Sequence, residues 1–160
     1  MRLEENKIDI RLFKVEDIEK VYEIECESFS SPWPKFIFKY YHWRNPEGFF
    51  VAVKNNEIVG YAIVEIVKHN LKKRGHLLNL AVKPSFRRKK VGTALMEAVF
   101  NYLTKEDVDD VWLEVRESNL ISRNFYLKLG FKDNGKIWKY YIDEDAIIMV
   151  KKLKEKLCHY

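Results

Sequence analysis

The chain has 160 residues, 47% of them hydrophobic and 14% aromatic, which is the length of one domain with enough apolar side chains for a sizeable core, so residues 1–160 are read as a single domain. Twenty-nine Lys and Arg against twenty-four Asp and Glu leave a net charge of +5, which suits a polyanion (nucleic acid, a phosphorylated cofactor or the ribosome surface) or simply a solvated basic face. A run of about eighteen apolar residues is absent, as is any CxxC or other metal-ligand spacing, which predicts a soluble cytoplasmic protein without a membrane span, a disulfide framework or a metal.

Lys7 to Phe13 alternates as a first strand. Glu16-Asp17 opens a helix to about Ser28, with Ile18, Val21 and Tyr22 on one face and Cys26 read as core filler. Ser30-Ser31-Pro32-Trp33-Pro34 breaks it, because proline lacks an N–H and restricts its predecessor, and an aromatic-rich helix follows from Pro34 to Trp43. Phe49 to Lys54 and Glu57 to Val67 form a hairpin around Asn55-Asn56, a dipeptide that tolerates positive φ. His76 to Val82 is the next strand. After the basic run Arg87-Arg88-Lys89-Lys90, the spacing of Val91, Ala94, Leu95, Ala98 and Val99 gives an amphipathic helix to about Leu103. Val111 to Arg116 is a strand with Val111, Leu113 and Val115 on one face and Trp112, Glu114 and Arg116 on the other. A helix from Asn119 to Leu129 stops at Gly130, and strands near Phe131 to Tyr141 and Ala146 to Leu153 complete the chain. The order βααβββαβαββ indicates an α/β protein, a mixed sheet with helices packed on it. The absence of G-x-G-x-x-G after the first strand argues against a doubly wound dinucleotide fold.

Asn79 to Met96 runs from a strand through a basic turn into a helix with a glycine in its first turn. The outward N–H groups of such a helix start, with the helix dipole, suit a pyrophosphate. This stretch resembles the coenzyme A loop of the GNAT superfamily, Q/R-x-x-G-x-G/A: Arg87 takes the first place and Gly92 the last. Lys90 stands where the pattern has its first glycine, and a side chain there fits if φ is negative. Leu113-Glu114-Val115-Arg116-Glu117-Ser118-Asn119, followed by Tyr126 and Gly130-Phe131, is similar to the signature of the RimI-type ribosomal-protein acetyltransferases and the NatA-type catalytic subunits. Tyr140-Tyr141 with Glu144 to Met149, and Phe29 to Trp33, match those families in the same order.

The resemblance implies a GNAT fold, mostly antiparallel, and transfer of acetyl from acetyl-CoA to an amine, the N-terminal α-amino group of a protein or peptide, with association to the ribosome as a further implication. It implies that the backbone of Leu80, Ala81 and Val82 holds the acetyl and pantetheine part as an added strand, and that Arg87, Arg88, Lys89, Lys90, Val91, Gly92 and Thr93 hold the pyrophosphate. No metal is implied. Tyr126 matches the general acid that protonates the leaving thiolate, and Glu114 the base, acting through water. His76 matches a histidine that assists deprotonation in archaeal NatA-type relatives; their acceptor-loop glutamate is Ser31 here, which favours Glu114. Asn119 is implied to contact coenzyme A or to cap its helix, and Trp33, Tyr140 and Tyr141 to line the peptide groove.

Each position also has a plain structural reading. Tyr126 fits beside Phe125 with its hydroxyl at the surface, Glu114 fits as an exposed strand glutamate, His76 as a structural residue, and the aromatics as core or surface packing. Two rival functions share these residues: acetylation of lysine or a small amine, and a coenzyme A binding or ribosome-associated module without turnover.

Overall fold

Buried alternation and short polar turns set the element order in the computed structural model, which describes residues 7–154. The elements are β1 (Asp9–Leu12), α1 (Ile18–Ser28), α2 (Lys35–Arg44), β2 (Phe49–Lys54), β3 (Glu57–His69), β4 (Lys72–Val82), α3 (Val91–Lys105), β5 (Asp110–Arg116), α4 (Leu120–Lys128), β6 (Lys132–Ile137) and β7 (Ala146–Lys152). The strands form a seven-stranded sheet in the order β1-β2-β3-β4-β5-β7-β6. The pairs β1–β2, β2–β3, β5–β7 and β6–β7 are antiparallel, whereas β4 and β5 run parallel, the mixed sheet expected. Asn55 and Asn56 take φ of 50° and 60°, the left-handed pair that a tight hairpin turn requires. No described helix is long and apolar enough to cross a membrane.

The chain divides into two compact units. Among the described residues, the first comprises those up to Glu65 together with Leu78–Tyr102. Its core is aromatic: Phe13 stacks on Phe49 with centroids 4.1 Å apart, and Phe38 meets Tyr61 edge to face at 5.7 Å. Val91 and Leu95 of α3 close over Gly60, where an added Cβ would lie 3.0 Å from the carbonyl of Ala81 and 3.1 Å from Leu95. Close helix-on-sheet approach therefore holds the start of α3 in place. The second unit comprises Ile66–Leu77 and the described residues from Leu103 onward. Val111, Leu113 and Val115 of β5 are buried with Phe131 and Met149, as the strand's alternation predicts, and Gly75 lets Leu103 pack against β4.

Three local expectations change. β4 begins at Lys72 rather than His76, so the Lys72-Lys73-Arg74 cluster is strand: Arg74 Nε donates to Asp110 Oδ1 at 2.6 Å and Lys73 Nζ to the Glu106 carbonyl at 2.9 Å. β6 ends at Ile137, and Tyr140 and Tyr141 lie in a turn where Lys139 takes φ 50° and donates its amide to Asp145 Oδ1 at 2.7 Å. Cys26 is exposed, because the buried line of α1 runs through Ile18, Val21, Ile24 and Glu25, leaving Cys26 on the solvent side. Cys158 lies outside the described residues.

Candidate active site

In the first unit, the strand end of β4 and the turn after it present backbone polar groups. Pleating points alternate residues to opposite edges, so Leu80 and Val82 face away from β3 while Ala81 turns its carbonyl toward Gly60 of β3. On the outward edge the Leu80 amide donates to Asn79 Oδ1 at 3.1 Å, and the Val82 carbonyl accepts from Arg87 Nε at 2.9 Å. Side chains thus bond two groups of that edge in place of a strand. Of the three residues expected to hold pantetheine, Leu80 and Val82 present these groups on the outward edge, whereas the Ala81 carbonyl lies beside Gly60 of β3.

Beyond Val82, Arg87 is extended, Arg88 has φ 59° and Lys90 has φ 65°. The Lys90 carbonyl accepts from the Ala94 amide at 3.0 Å, which starts α3 and leaves the amides of Val91, Gly92 and Thr93 without helical acceptors. With Arg87, Arg88, Lys89 and Lys90 exposed around it, this helix start fits a pyrophosphate.

The condition of a negative φ at Lys90 is not met: the backbone keeps the glycine conformation and the lysine bears the cost, about 1 kcal/mol. Lys90→Gly is expected to change stability by less than about 0.5 kcal/mol, since relief of that strain offsets the greater unfolded-chain entropy of glycine. It should alter KM for acetyl-CoA more than kcat, and flatten the rise of KM with salt, because an exposed ammonium near phosphate is screened. Equal salt slopes in the two proteins would make Lys90 a solvated residue.

The same unit holds a carboxylate that the sequence reading passed over. Glu25 is 1% exposed; its Oε1 accepts the Trp33 amide at 2.8 Å, and its Oε2 accepts from Asn79 Nδ2 at 3.1 Å and from the Tyr61 hydroxyl. Burial and this carboxylate together raise the Tyr61 pKa well above the usual phenol value. Glu25 ties the acceptor-loop backbone at Trp33 to β3 and β4. The ring of Trp33 stacks on Tyr41 at 5.7 Å and leans on Phe38 at 5.9 Å, so it is partly core. The signal was present in the sequence: Glu25 follows Ile18 and Val21 by seven and four residues, on their helical face. Glu25→Ala, which strands three donors, is expected to lower unfolding free energy by about 3 kcal/mol in urea titrations, and Glu25→Gln by less.

The second unit brings together the two residues that the sequence offered as alternative bases. The parallel register sets His76 opposite Trp112, and Glu114 lies two residues further along the same face of β5. His76 Nε2 and Glu114 Oε2 are 2.7 Å apart, with side chains 18% and 14% exposed. Neither the exposed glutamate nor the isolated histidine is found. Burial pushes the Glu114 pKa up, but donation from His76, its charge and the Trp112 N–H outweigh that, so the net shift is downward and the carboxylate is ionised at neutral pH.

Tyr126 is 8% exposed, packed between Phe125 and Phe131 at 5.2 and 5.5 Å. Its phenol is therefore not displayed at the surface; burial, reinforced by Tyr141, raises its pKa and keeps it a protonated donor. Asn119 caps α4, its Oδ1 accepting from the Ser122 amide at 3.1 Å, a bond worth about 1 kcal/mol. Tyr140 is exposed and meets Tyr141 edge to face at 5.0 Å; Tyr141 lies under the Arg116 guanidinium, and burial pushes its pKa up to about 12. Arg116 and Ser118 both bond Glu144, which fixes the turn that carries the two tyrosines. No cluster of possible metal ligands occurs among the described residues.

The model of the Acetyltransferase (GNAT) family matches residues 18–131. Over 154 residues the chain is 34% identical to an N-alpha-acetyltransferase of Sulfurisphaera tokodaii, spanning 90% of this chain and 92% of that one. The crystal structure of Ard1 from Thermoplasma volcanium superposes with a TM-score of 0.86 at 32% identity, covering 92% of this chain and 99% of that chain. The ribosomal-protein-S18-alanine N-acetyltransferase from Escherichia coli gives a TM-score of 0.81 at 30% identity, over 96% of this chain and all 100% of its own.

Proposed function

Because the chain belongs to the acetyltransferase (GNAT) family, and so is an acetyl-CoA dependent N-acetyltransferase, we propose that it acetylates the α-amino group of a protein or peptide N-terminus, by direct attack in a ternary complex. The observation that carries this reading is the His76–Glu114 pair at 2.7 Å, in the same unit as the buried donor Tyr126. Relatives named for N-terminal acetylation, and the aromatic segments at Trp33 and Tyr140-Tyr141, support an extended peptide as acceptor.

An N-terminus is an ammonium with a pKa near 7.7–8, and it must lose a proton before its lone pair is nucleophilic. The ionised Glu114 carboxylate, with the His76 imidazole bonded to it, takes that proton, directly or through water. The cosubstrate supplies an acetyl thioester, held by the outward polar groups of Leu80 and Val82 and by the amides of Val91 to Thr93 with Arg87 and Arg88. As the C–N bond forms and the C–S bond breaks, Tyr126 gives its phenolic proton to the sulfur, and the proton lost from the new amide nitrogen restores the phenol through solvent. Asn119 keeps its cap, and contact with coenzyme A at that helix start adds to it. The relative named for ribosomal protein S18 supports ribosomal proteins among the acceptors.

Thiol release from acetyl-CoA tests the reading when unblocked peptides differing in their first two residues are compared with N-terminally blocked lysine peptides and spermidine. Faster turnover of the unblocked peptides is expected. Preference for blocked peptides or spermidine overturns the acceptor, and coenzyme A binding without release to any amine makes the chain a binding module.

A further inference from the structure

Trp112 touches both members of the proposed base pair. Its indole N–H donates to Glu114 Oε1 at 3.1 Å, and its ring lies flat against the His76 imidazole, with centroids 4.3 Å apart and planes 10° from parallel. The two carboxylate oxygens of Glu114 therefore have different partners, Oε2 with His76 and Oε1 with Trp112. The indole is itself held: the Arg74 guanidinium lies over it at 4.8 Å while its Nε bonds Asp110 Oδ1 at 2.6 Å. The register of β4 and β5 makes this possible by pairing Arg74 with Asp110 and His76 with Trp112 on adjacent parallel strands.

We propose that Trp112 is a positioning residue for acetyl transfer, fixing the Glu114 carboxylate and the His76 ring against each other so that the pair accepts the acceptor's proton. Arg74 and Asp110 steady the indole. The inference rests on the assignment of Glu114 and His76 to proton transfer. A glutamate on a strand has three rotatable side-chain bonds, and a base must already be aimed before the amine arrives. Donors on both oxygens remove that freedom, and a flat aromatic contact fixes the plane of the imidazole.

Among the described residues, Glu114 bonds His76 from β4 and Trp112 from its own strand, and its charge reaches Tyr140 and Tyr141 in the turn after β6. Of the two contacts Trp112 makes to the pair, the N–H is lost without the ring in Trp112→Phe, and both are lost in Trp112→Leu. Loss of a donor to the ionised carboxylate makes it easier to protonate, so the acid limb of the rate profile moves to higher pH.

The experiment measures kcat and kcat/KM against pH with an unblocked peptide for wild type, Trp112→Phe, Trp112→Leu, Glu114→Gln, His76→Phe and the double variant Trp112→Phe with Glu114→Gln, alongside thermal melting. Trp112→Phe should turn over about tenfold more slowly at the acid end and within about threefold of wild type on the alkaline plateau, with KM for acetyl-CoA unchanged. Trp112→Leu should be slower at every pH. In the double variant Trp112→Phe should add nothing to the defect of Glu114→Gln, because it acts through that carboxylate. A Trp112→Phe profile superimposable on wild type overturns the inference, as does a loss that adds in full to that of Glu114→Gln. Wild-type rates in both Glu114→Gln and His76→Phe would instead overturn the parent assignment, and the role of Trp112 with it.

Discussion

Replacing Tyr126 with phenylalanine is expected to lower kcat about a hundredfold while leaving KM for acetyl-CoA within about twofold. The substitution removes one oxygen from a ring held by Phe125 and Phe131, so packing survives and only the donor is lost. Burial lifts the phenol pKa, so the wild-type group is a neutral donor throughout the working range, and its loss should produce a defect that does not depend on pH between about 6 and 9. Steady-state kinetics and coenzyme A titration check both parts. Unchanged turnover under conditions where chemistry limits the rate removes Tyr126 from proton transfer.

Glu114→Gln should behave differently, losing about a hundredfold in kcat/KM near pH 6.5 and recovering as pH rises. Glutamine keeps a carbonyl that accepts from His76, but it has no charge with which to draw a proton from the ammonium. Above pH 8 most of the acceptor is already neutral, and the need for a base falls. A pH-independent defect would mean that Glu114 positions the substrate instead. A stability effect accompanies this one. The folded-state pKa of Glu114 lies below its unfolded value, so its contribution is fully present above that unfolded value of about 4.3 and is lost as pH falls through the folded one. The stability difference between wild type and Glu114→Gln should therefore narrow on acidification.

The elements were legible where one local rule dominates. Asn55-Asn56 announced its hairpin because few other residues accept two consecutive left-handed conformations, and Val111-Leu113-Val115 announced its buried face by alternation. Turn chemistry at Lys90 was legible only as a condition on φ, because a lysine gives no local hint that tertiary context holds the backbone in a glycine conformation. The candidate site was legible as a list of residues and not as an arrangement. His76 and Glu114 are separated by 38 positions and meet through a parallel register, which no local pattern encodes, so they read as rivals when they are partners. Trp112 read as the outward neighbour of Glu114 on its strand, and only the stacking distance to His76 gives it a role. Glu25 was missed because a carboxylate on an apolar helix face looks like a break in the pattern until Tyr61, Asn79 and the Trp33 amide are seen to converge on it.

The central claim, that the acceptor is an α-amine, is tested most directly by a single product analysis. A peptide with a free N-terminus and one internal lysine is incubated with acetyl-CoA and the protein, and tandem mass spectrometry locates the acetyl group. Acetylation of the N-terminal nitrogen with the lysine unmodified is the predicted result; acetylation of the lysine with the N-terminus left free would contradict it.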